Sequence, residues 1–437
     1  MSKKINHIVL NCSPHLGLLD NWLPILYQIK LKHPDIRFTF VAPVEQVIKA
    51  IDLQSSTIEV SSEIFSSVIF KTCSGSWVCV KNFSKAKEIS KKYRCKFLNI
   101  IKFFLHRVNA DFLKFRIENM QLKVSNFFLK KYIFDLENLQ DFVLCFDLTD
   151  SNKKYNQTLM ELAISKQKFS IFHGLNVNGM RGCTSTSNNY SLFTMVYSYS
   201  AKENFYYQKK FMLKSEAVHS YGIPRHNANW ISFLKSKEAN KDSSFDEYVL
   251  FISRPIGATI SNEERIGYLL NIKKMLNKLN LKLVIKRHPK ESNDKVFEKI
   301  FGKENYLSTW EYSSQNLLTH GDSCKFAVCL YSGVPLDLLM IGIPTIETLD
   351  LKNVKHYEAY DLLKNKYGDP VTECRYFGFV LGASNYNQLE HHAIDVMLNK
   401  NLAVSNLLSN YHCIFPSKKN IINKISDEIF HSMEKKC

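Results

Sequence analysis

The sequence has no long apolar run and few of the residues that dominate fibrous or low-complexity proteins. No stretch approaches 18 consecutive apolar residues, so we expect no helix that spans a bilayer. Glycine and proline number only 15 and 11 among 437 residues, which excludes collagen-like and low-complexity architectures. The first residues turn polar after a short apolar stretch, and we expect a strand there and no signal peptide.

The 11 cysteines do not have the spacing of a zinc site or of a disulfide framework. No two of them form a CxxC pair, and their number is odd. We therefore expect no structural metal and a reducing, cytoplasmic compartment. Cys145 and Cys329 lie inside apolar runs, a position typical of buried free thiols.

Acidic residues are the minority among the charges. The chain has 58 Lys and Arg against 41 Asp and Glu, a formal net charge of +17, which indicates an anionic partner. Residues 81–131 alone hold 14 basic and 3 acidic residues, with apolar residues at helical spacing. They predict a basic amphipathic helical insertion, which is either a solvated face over a core helix or a surface that rests on anionic lipid. No nucleic-acid-binding module is recognisable, so we expect no nucleic-acid partner.

Short apolar runs rich in β-branched residues alternate with helical patterns almost throughout the chain. This alternation predicts an α/β fold in which helices cover both faces of mostly parallel sheets. The alternation of strand and helix patterns begins again after residues 235–247, which are charged and Ser-rich like an interdomain linker. Strands are predicted at 7–10, 38–41, 143–146, 169–173, 248–252, 281–286, 326–330 and 344–347, and a short helix at 44–50.

We therefore predict two doubly wound, Rossmann-like domains that face each other across a cleft. The first spans residues 1–234 and contains the insertion 81–131, and the second spans residues 248–400. Residues 401–437 form a C-terminal helical segment that we expect to pack back on the first domain. In such an arrangement the ligand lies between the carboxyl ends of the two sheets.

Two turns in the second half of the chain are suited to bind an anion. Lys286-Arg287-His288-Pro289 ends a predicted strand, and such a turn offers backbone N–H groups together with three basic side chains. His288 can donate a proton to a leaving phosphate oxygen, or it can simply cap a helix. The second turn, residues 330–337, contains Ser332, Gly333 and Asp337, and its serine can cap a helix or bind a phosphate.

These turns resemble the donor domain of GT-B glycosyltransferases that use cytidine nucleotides. The likeness is to bacterial sialyltransferases, to Kdo transferases and to CDP-glycerol glycerophosphotransferases, and it covers roughly residues 170–350. Further fragments agree with it, namely residues 172–174 (FHG), 221–225 (YGIPR) and 251–255 (FISRP). The resemblance implies a GT-B enzyme of lipopolysaccharide or capsule synthesis that transfers an ulosonic acid from a CMP-sugar.

The resemblance also assigns residues to the donor. It implies that the HP histidine and the later serine touch the donor phosphate, so the second domain would bind the CMP-sugar. The chain has no DxD motif, and cationic side chains can stabilise a leaving CMP, so we expect neither metal nor other cofactor. The donor-binding residues would be Ser253, Arg254, Lys286, Arg287, His288, Pro289, Ser332, Gly333 and Asp337.

The first domain would then supply the acceptor site and the base or nucleophile. Asp147 and Asp150 follow a predicted strand directly, and His173 ends the next one. A carboxylate at such a position is a candidate base or nucleophile, and we favour Asp150 slightly because it lies further into the loop. Loop solubility, helix capping or, for His173, burial in the core are the alternatives. The candidate acceptor residues are His15, Asp20, Asn176 and Arg225.

The acceptor is expected to be an oligosaccharide or a lipid-linked glycan. A lipid-linked acceptor would place the protein at the inner face of the cytoplasmic membrane, where residues 81–131 can meet anionic lipid. Three alternatives remain open: a CDP-glycerol-type polyol phosphotransferase, a nucleotide-sugar epimerase of the same fold, and a catalytically silent assembly subunit.

Overall fold

The secondary structure follows the predicted alternation of strands and helices. A computed structural model describes residues 6–12, 17–43, 48, 55–72, 76–92, 132–139, 141–174, 189–238, 243–257, 260–288, 291, 295–351, 363–415 and 420–434. The strands are β1 His7–Asn11, β2 Arg37–Ala42, β3 Ser67–Lys71, β4 Trp77–Val80, β5 Val143–Phe146, β6 Lys168–Ile171, β7 Thr194–Ser198, β8 Val218–Ser220, β9 Tyr248–Ile252, β10 Lys282–Lys286, β11 Trp310–Tyr312, β12 Cys324–Cys329, β13 Thr345–Thr348, β14 Leu363–Lys364, β15 Pro370–Val371 and β16 Leu381–Ala383. The α-helices are α1 Gly17–Lys32, α2 Ser55–Ile64, α3 Phe83–Lys92, α4 Gln157–Leu162, α5 Ala201–Phe211, α6 Ala228–Glu238, α7 Asn262–Leu279, α8 Val296–Phe301, α9 Pro335–Met340, α10 Glu373–Tyr376, α11 Tyr386–Ile414 and α12 Ile421–Glu434.

The strands form two large sheets, and the predicted α/β architecture is confirmed. The first sheet has the order β4-β3-β2-β1-β5-β6-β7-β8, and only β4 runs antiparallel to its neighbour. The second is parallel, with the order β11-β10-β9-β12-β13-β16. Central strands β5 (VLCF) and β9 (YVLFI) are buried along their whole length, because helices cover both faces of each sheet.

Local sequence signals set the ends of the longest helix in the second domain. Ser261 accepts a hydrogen bond from the backbone N–H of Glu264, whose side chain accepts one from Ser261 in return, so α7 begins with a capping box. The helix ends at Leu279 and is capped by Asn280, which adopts the left-handed conformation with φ of 51°. Cys145 and Cys329 lie within β5 and β12 and are fully buried, as expected from their apolar surroundings.

The C-terminal helices join the second domain back to the first. Helix α11 is kinked at Asn399, and α12 packs along α1, where the Ser426 hydroxyl donates to the carbonyl of Ile25 at 3.3 Å. Helix α6 extends to Glu238, so the first four residues of the predicted linker are helical. The core of the first domain thus continues without a break into α9, α11 and α12.

Two of the predicted elements lie mostly outside the described residues. The basic insertion begins as helix α3, and residues 93–131 are not among those described. The predicted helix 44–50 is described only at Ile48. Among the described residues, no helix combines the length and the apolar character needed to cross a membrane.

Candidate functional site

The carboxyl ends of β1 and β5 mark the point where the strand order of the first sheet reverses. Chain order runs outward through β2 and β3 on one side and through β6 and β7 on the other. Ligands of doubly wound folds bind outside such a switch point. Asp147 follows β5 directly and is 2% exposed, and its Oδ1 accepts from the backbone N–H and the hydroxyl of Thr149 at 2.9 and 2.7 Å.

Asp147 also orients His173, which lies two residues beyond β6. Its Oδ2 bonds to Nδ1 of His173 and accepts the backbone N–H of the same residue at 3.0 Å. A carboxylate at Nδ1 assigns the proton to that nitrogen and leaves Nε2 as the basic one. The His173 side chain retains 30% exposure, so a substrate can reach the ring.

The pair shifts the pKa of both partners. Burial raises the pKa of Asp147, but the hydrogen bonds from His173 and Thr149 outweigh it, and its pKa lies below the ordinary value. Burial lowers the pKa of His173, yet the bond to Asp147 and the nearby charge of Asp150 raise it above the ordinary value. A histidine that is oriented by a carboxylate in this way is suited to act as a general base.

Asp150 lies beside the pair without forming part of it. Its Oδ2 is 3.9 Å from His173 Nδ1, buried, and makes no hydrogen bond within the described part of the chain. The structure thus brings Asp147, rather than the slightly favoured Asp150, into contact with His173. The ligand atoms of these three residues lie within 4.8 Å of one another, close enough to hold a divalent cation.

The first turns of α1 brace the loop that carries His173. A Cβ atom on Gly17 would lie 3.2 Å from the carbonyl oxygen of His173, so glycine permits this close approach. Asn21 is fully buried, and its Nδ2 donates to the carbonyl of Phe172 at 3.1 Å. The hydroxyl of Tyr199 donates to the same carbonyl. The backbone preceding His173 is therefore held by two buried donors.

An ion pair links Asn21 of this hydrogen-bonded cluster to the second domain. Arg225 Nη1 donates to the Asn21 side chain, while its Nε donates to Asp337 Oδ1 at 2.7 Å. His226 Nε2 meets the same oxygen at 2.6 Å, and its Nδ1 lies 2.9 Å from the Tyr411 hydroxyl. Although burial alone would raise it, Arg225 and His226 lower the pKa of Asp337 to about 2. Arg225 and Asp337, predicted for acceptor and donor, thus form a largely buried ion pair between the two domains.

A small pocket lies beside this ion pair and is lined by both domains. Asp20 contributes to its wall, and burial together with the charge of Asp337 raises the pKa of Asp20 to about 6 against the influence of Arg225. The buried Lys286 has its pKa lowered to about 8 by burial, and its ammonium donates to the carbonyl of Gln315. The residues that line the pocket are Asp20, Leu23, Thr57, Arg225, Trp230, Leu234, Asn316, Leu317, Leu318 and Asp337.

The carboxyl edge of the second sheet gathers most of the predicted donor residues. Here the strand order reverses between β9 and β12, and Arg254 spans that point by donating to the carbonyl of Tyr331 at 2.8 Å. The Arg287 guanidinium stacks 4.1 Å from the ring centre of Tyr312. Ser332 accepts the backbone N–H of Val334 at 3.2 Å, so its hydroxyl caps the turn before α9.

The described residues of the predicted site therefore lie in three places: the carboxyl edge of the first sheet, the carboxyl edge of the second sheet, and the Arg225–Asp337 ion pair between the domains. Pro289, His15 and Asn176 lie outside the described residues. Asn21, Tyr199, His226 and Glu291 contact the site and were not predicted. Asn21 and Tyr199 act through hydrogen bonds to distant backbone, which no local pattern reveals, whereas Glu291 follows the HP motif by only two residues.

Comparison with known proteins identifies the fold. No protein-family model matches this sequence, and no curated protein matches it either. The wall teichoic acid polymerase TagF, in a crystal soaked with CDPG, is 11% identical, with a TM-score of 0.53 over 99% of this chain and 90% of that one. UDP-GlcNAc 2-epimerase from Neisseria meningitidis, bound to UDP-GlcNAc, is 10% identical, with a TM-score of 0.54 over 97% of this chain and 99% of that one. The two Rossmann-like domains thus have the GT-B arrangement, as expected.

Proposed function

We propose that this protein is a GT-B glycosyltransferase that moves an ulosonic acid from a CMP-activated donor to a hydroxyl group of a surface glycan. The sugar would be Kdo, sialic acid or a relative. The observation that carries the proposal is the Asp147–His173 pair at the switch point of the first sheet. We place the base opposite the basic edge of the second domain, because ligands of such folds bind outside the carboxyl ends of the strands.

The chemistry assigns one role to each member of the pair. Nε2 of His173 takes the proton of the acceptor hydroxyl as its oxygen bonds to the anomeric carbon, and Asp147 stabilises the resulting imidazolium. The bond between the anomeric carbon and the CMP phosphate oxygen breaks, and CMP leaves with the electron pair. The proton thus ends on His173 and the negative charge on CMP.

The basic edge of the second domain supports the leaving nucleotide. Lys286 ends β10, Arg287 and His288 follow it directly, and Arg254 lies at the neighbouring switch point. Cationic side chains of this kind can stabilise a departing phosphate without a metal. We therefore expect EDTA to leave the transfer rate unchanged. A requirement for Mg²⁺ or Mn²⁺ would instead direct attention to Asp147, Asp150 and His173, the trio that can hold a cation.

Binding of CMP tests the donor assignment. We expect CMP to raise the melting temperature, because a ligand at 100 times its Kd stabilises the folded state by about 2.7 kcal/mol. Ser332→Ala should weaken this protection while leaving the unliganded protein folded, because removal of a serine cap costs only about 1 kcal/mol. Calorimetry of the wild type and of Ser332→Ala with CMP measures the rise in melting temperature and its reduction in the variant. UMP is the comparison ligand. No protection by CMP at millimolar concentration would contradict a cytidine-nucleotide donor.

Peripheral association with the membrane is a separate part of the proposal and rests on the charge of residues 81–131. We expect the protein to sediment with phosphatidylglycerol vesicles at low salt and to be released at high salt. The screening length falls from about 10 Å at 0.1 M to about 3 Å at 1 M, so electrostatic attraction is lost. Phosphatidylcholine vesicles are the control. Equal retention on both kinds of vesicle, or none on either, would contradict this part of the proposal.

A further inference from the structure

A buried glutamate joins the segments that follow β9 and β10. Glu291 is 3% exposed, and its Oε1 accepts from the Ser253 hydroxyl at 2.8 Å and from Arg265 Nη2 at 2.6 Å. Its Oε2 accepts the backbone N–H of His288 at 2.9 Å, and its own N–H donates to the carbonyl of His288 at the same distance. The segment after β9, helix α7 and the segment after β10 therefore meet at a single carboxylate.

The charge of this carboxylate is neutralised within the protein. Arg265 on α7 is 1% exposed, and its guanidinium lies 5.2 Å from the ring centre of Phe297. Both oxygens of Glu291 already accept hydrogen bonds, and the Arg265 cation balances its charge. Glu291 is therefore unsuited to act as a base, and its charge does not repel an anion bound at the adjacent edge.

The arrangement also uses the one hydroxyl proton that Ser253 can donate. That proton goes to Glu291, while the backbone N–H of Ser253 donates to the carbonyl of Lys286 at 3.0 Å. These two bonds tie the segment after β9 to the end of β10. Through Glu291, the hydroxyl of Ser253 therefore helps to orient the carboxyl edge of the second sheet. The backbone of Ser253 can contact the donor in addition.

We propose that Glu291 is a positioning residue that holds the His288 backbone and the Ser253 segment in the geometry that receives the donor phosphate. The inference rests on the proposed cytidine-nucleotide donor. A site held in its binding geometry before the ligand arrives avoids the entropic cost of ordering these segments during binding. Loss of Glu291 would therefore weaken recognition of the phosphate and spare contacts made by the nucleoside.

The experiment compares CMP with cytidine, which lacks the phosphate, by isothermal titration of the full chain. Glu291→Ala removes the carboxylate that balances the buried charge of Arg265 and is expected to fold poorly, so the main variant is Arg265→Met combined with Glu291→Met. Replacing both members of a buried ion pair by apolar residues is often neutral for stability. Glu311→Ala is the matched control, because Glu311 is a buried carboxylate of the same sheet that binds Ser243 and Ser244 instead.

We expect the double variant to bind CMP about 10- to 100-fold more weakly than the wild type, with cytidine affected less than about threefold. Glu311→Ala should retain the wild-type preference for CMP over cytidine. A folded double variant that retains this preference would overturn the role of Glu291 and leave the proposed donor intact. A wild-type protein that binds CMP no more tightly than cytidine would contradict the proposed phosphate site itself, and the inference with it.

Discussion

Asp147→Asn is expected to lower the rate of glycosyl transfer by about 10²- to 10⁴-fold while CMP binding stays unchanged. The amide removes the negative charge that stabilises a protonated His173, and its NH₂ group can turn toward Nδ1 and favour the wrong tautomer. CMP binding is spared because the nucleotide is assigned to the other domain. Transfer rates and CMP titrations on the same preparations measure the two effects.

Two further variants show whether the loss of transfer rate is specific to Asp147. Asp141→Asn is the matched control, since Asp141 is exposed, precedes the same strand, and adopts a left-handed φ of 47° that asparagine tolerates. Asp150→Asn tests the carboxylate that lies 3.9 Å from His173 Nδ1, for which we expect a smaller loss than for Asp147→Asn. If Asp147→Asn transfers at the wild-type rate, His173 is not activated in the way proposed here.

Asp337→Ala is expected to destabilise the protein by about 3–5 kcal/mol, because it removes the carboxylate that is hydrogen-bonded to the buried Arg225 guanidinium. His226 loses the partner of Nε2 in the same step. The loss should appear in urea denaturation as a lower midpoint at pH 7. Since Arg225 also holds Asn21, we expect faster hydrogen exchange in the segment that contains Phe172.

A double variant separates loss of charge from loss of fold. Arg225→Met with Asp337→Leu removes both charges and should recover much of the lost stability, as apolar replacement of buried pairs often does. Lys325→Ala breaks a surface ion pair with Glu247, both partners being partly exposed, and should cost less than about 1 kcal/mol. An Asp337→Ala protein as stable as Lys325→Ala would show that the interdomain bridge contributes little.

The fold could be predicted because its strands are nearly continuous apolar runs separated by polar loops. Strands β5 and β9 were predicted at the residues where they occur, and their burial on both faces explains why the pattern is so plain. The ends of α6 and α11 were not predicted correctly, because both helices continue through residues whose composition resembles a linker or a domain boundary. Propensity alone does not say where a helix gains tertiary support.

The candidate site was predictable only where a motif lies at the end of a strand. Asp147 and His173 could be placed on one edge because each follows a strand of the same sheet. Their direct contact, and that of Arg225 with Asp337, 112 residues further on, depend on how the strands and domains pack. A single sequence contains no information about such pairs. Glu291 was missed because an acidic residue in a polar loop looks like an ordinary surface charge.

Incubation with labelled donors tests whether this protein transfers an ulosonic acid from a CMP-sugar. Purified protein receives CMP-Kdo, CMP-sialic acid, CDP-glycerol or UDP-GlcNAc, each with and without a panel of glycan acceptors, and the products are separated by chromatography. We expect acceptor-dependent transfer of an ulosonic acid from a CMP-sugar, with release of CMP, and loss of that transfer in Asp147→Asn. Transfer from CDP-glycerol alone, or conversion of UDP-GlcNAc without an acceptor, would contradict it.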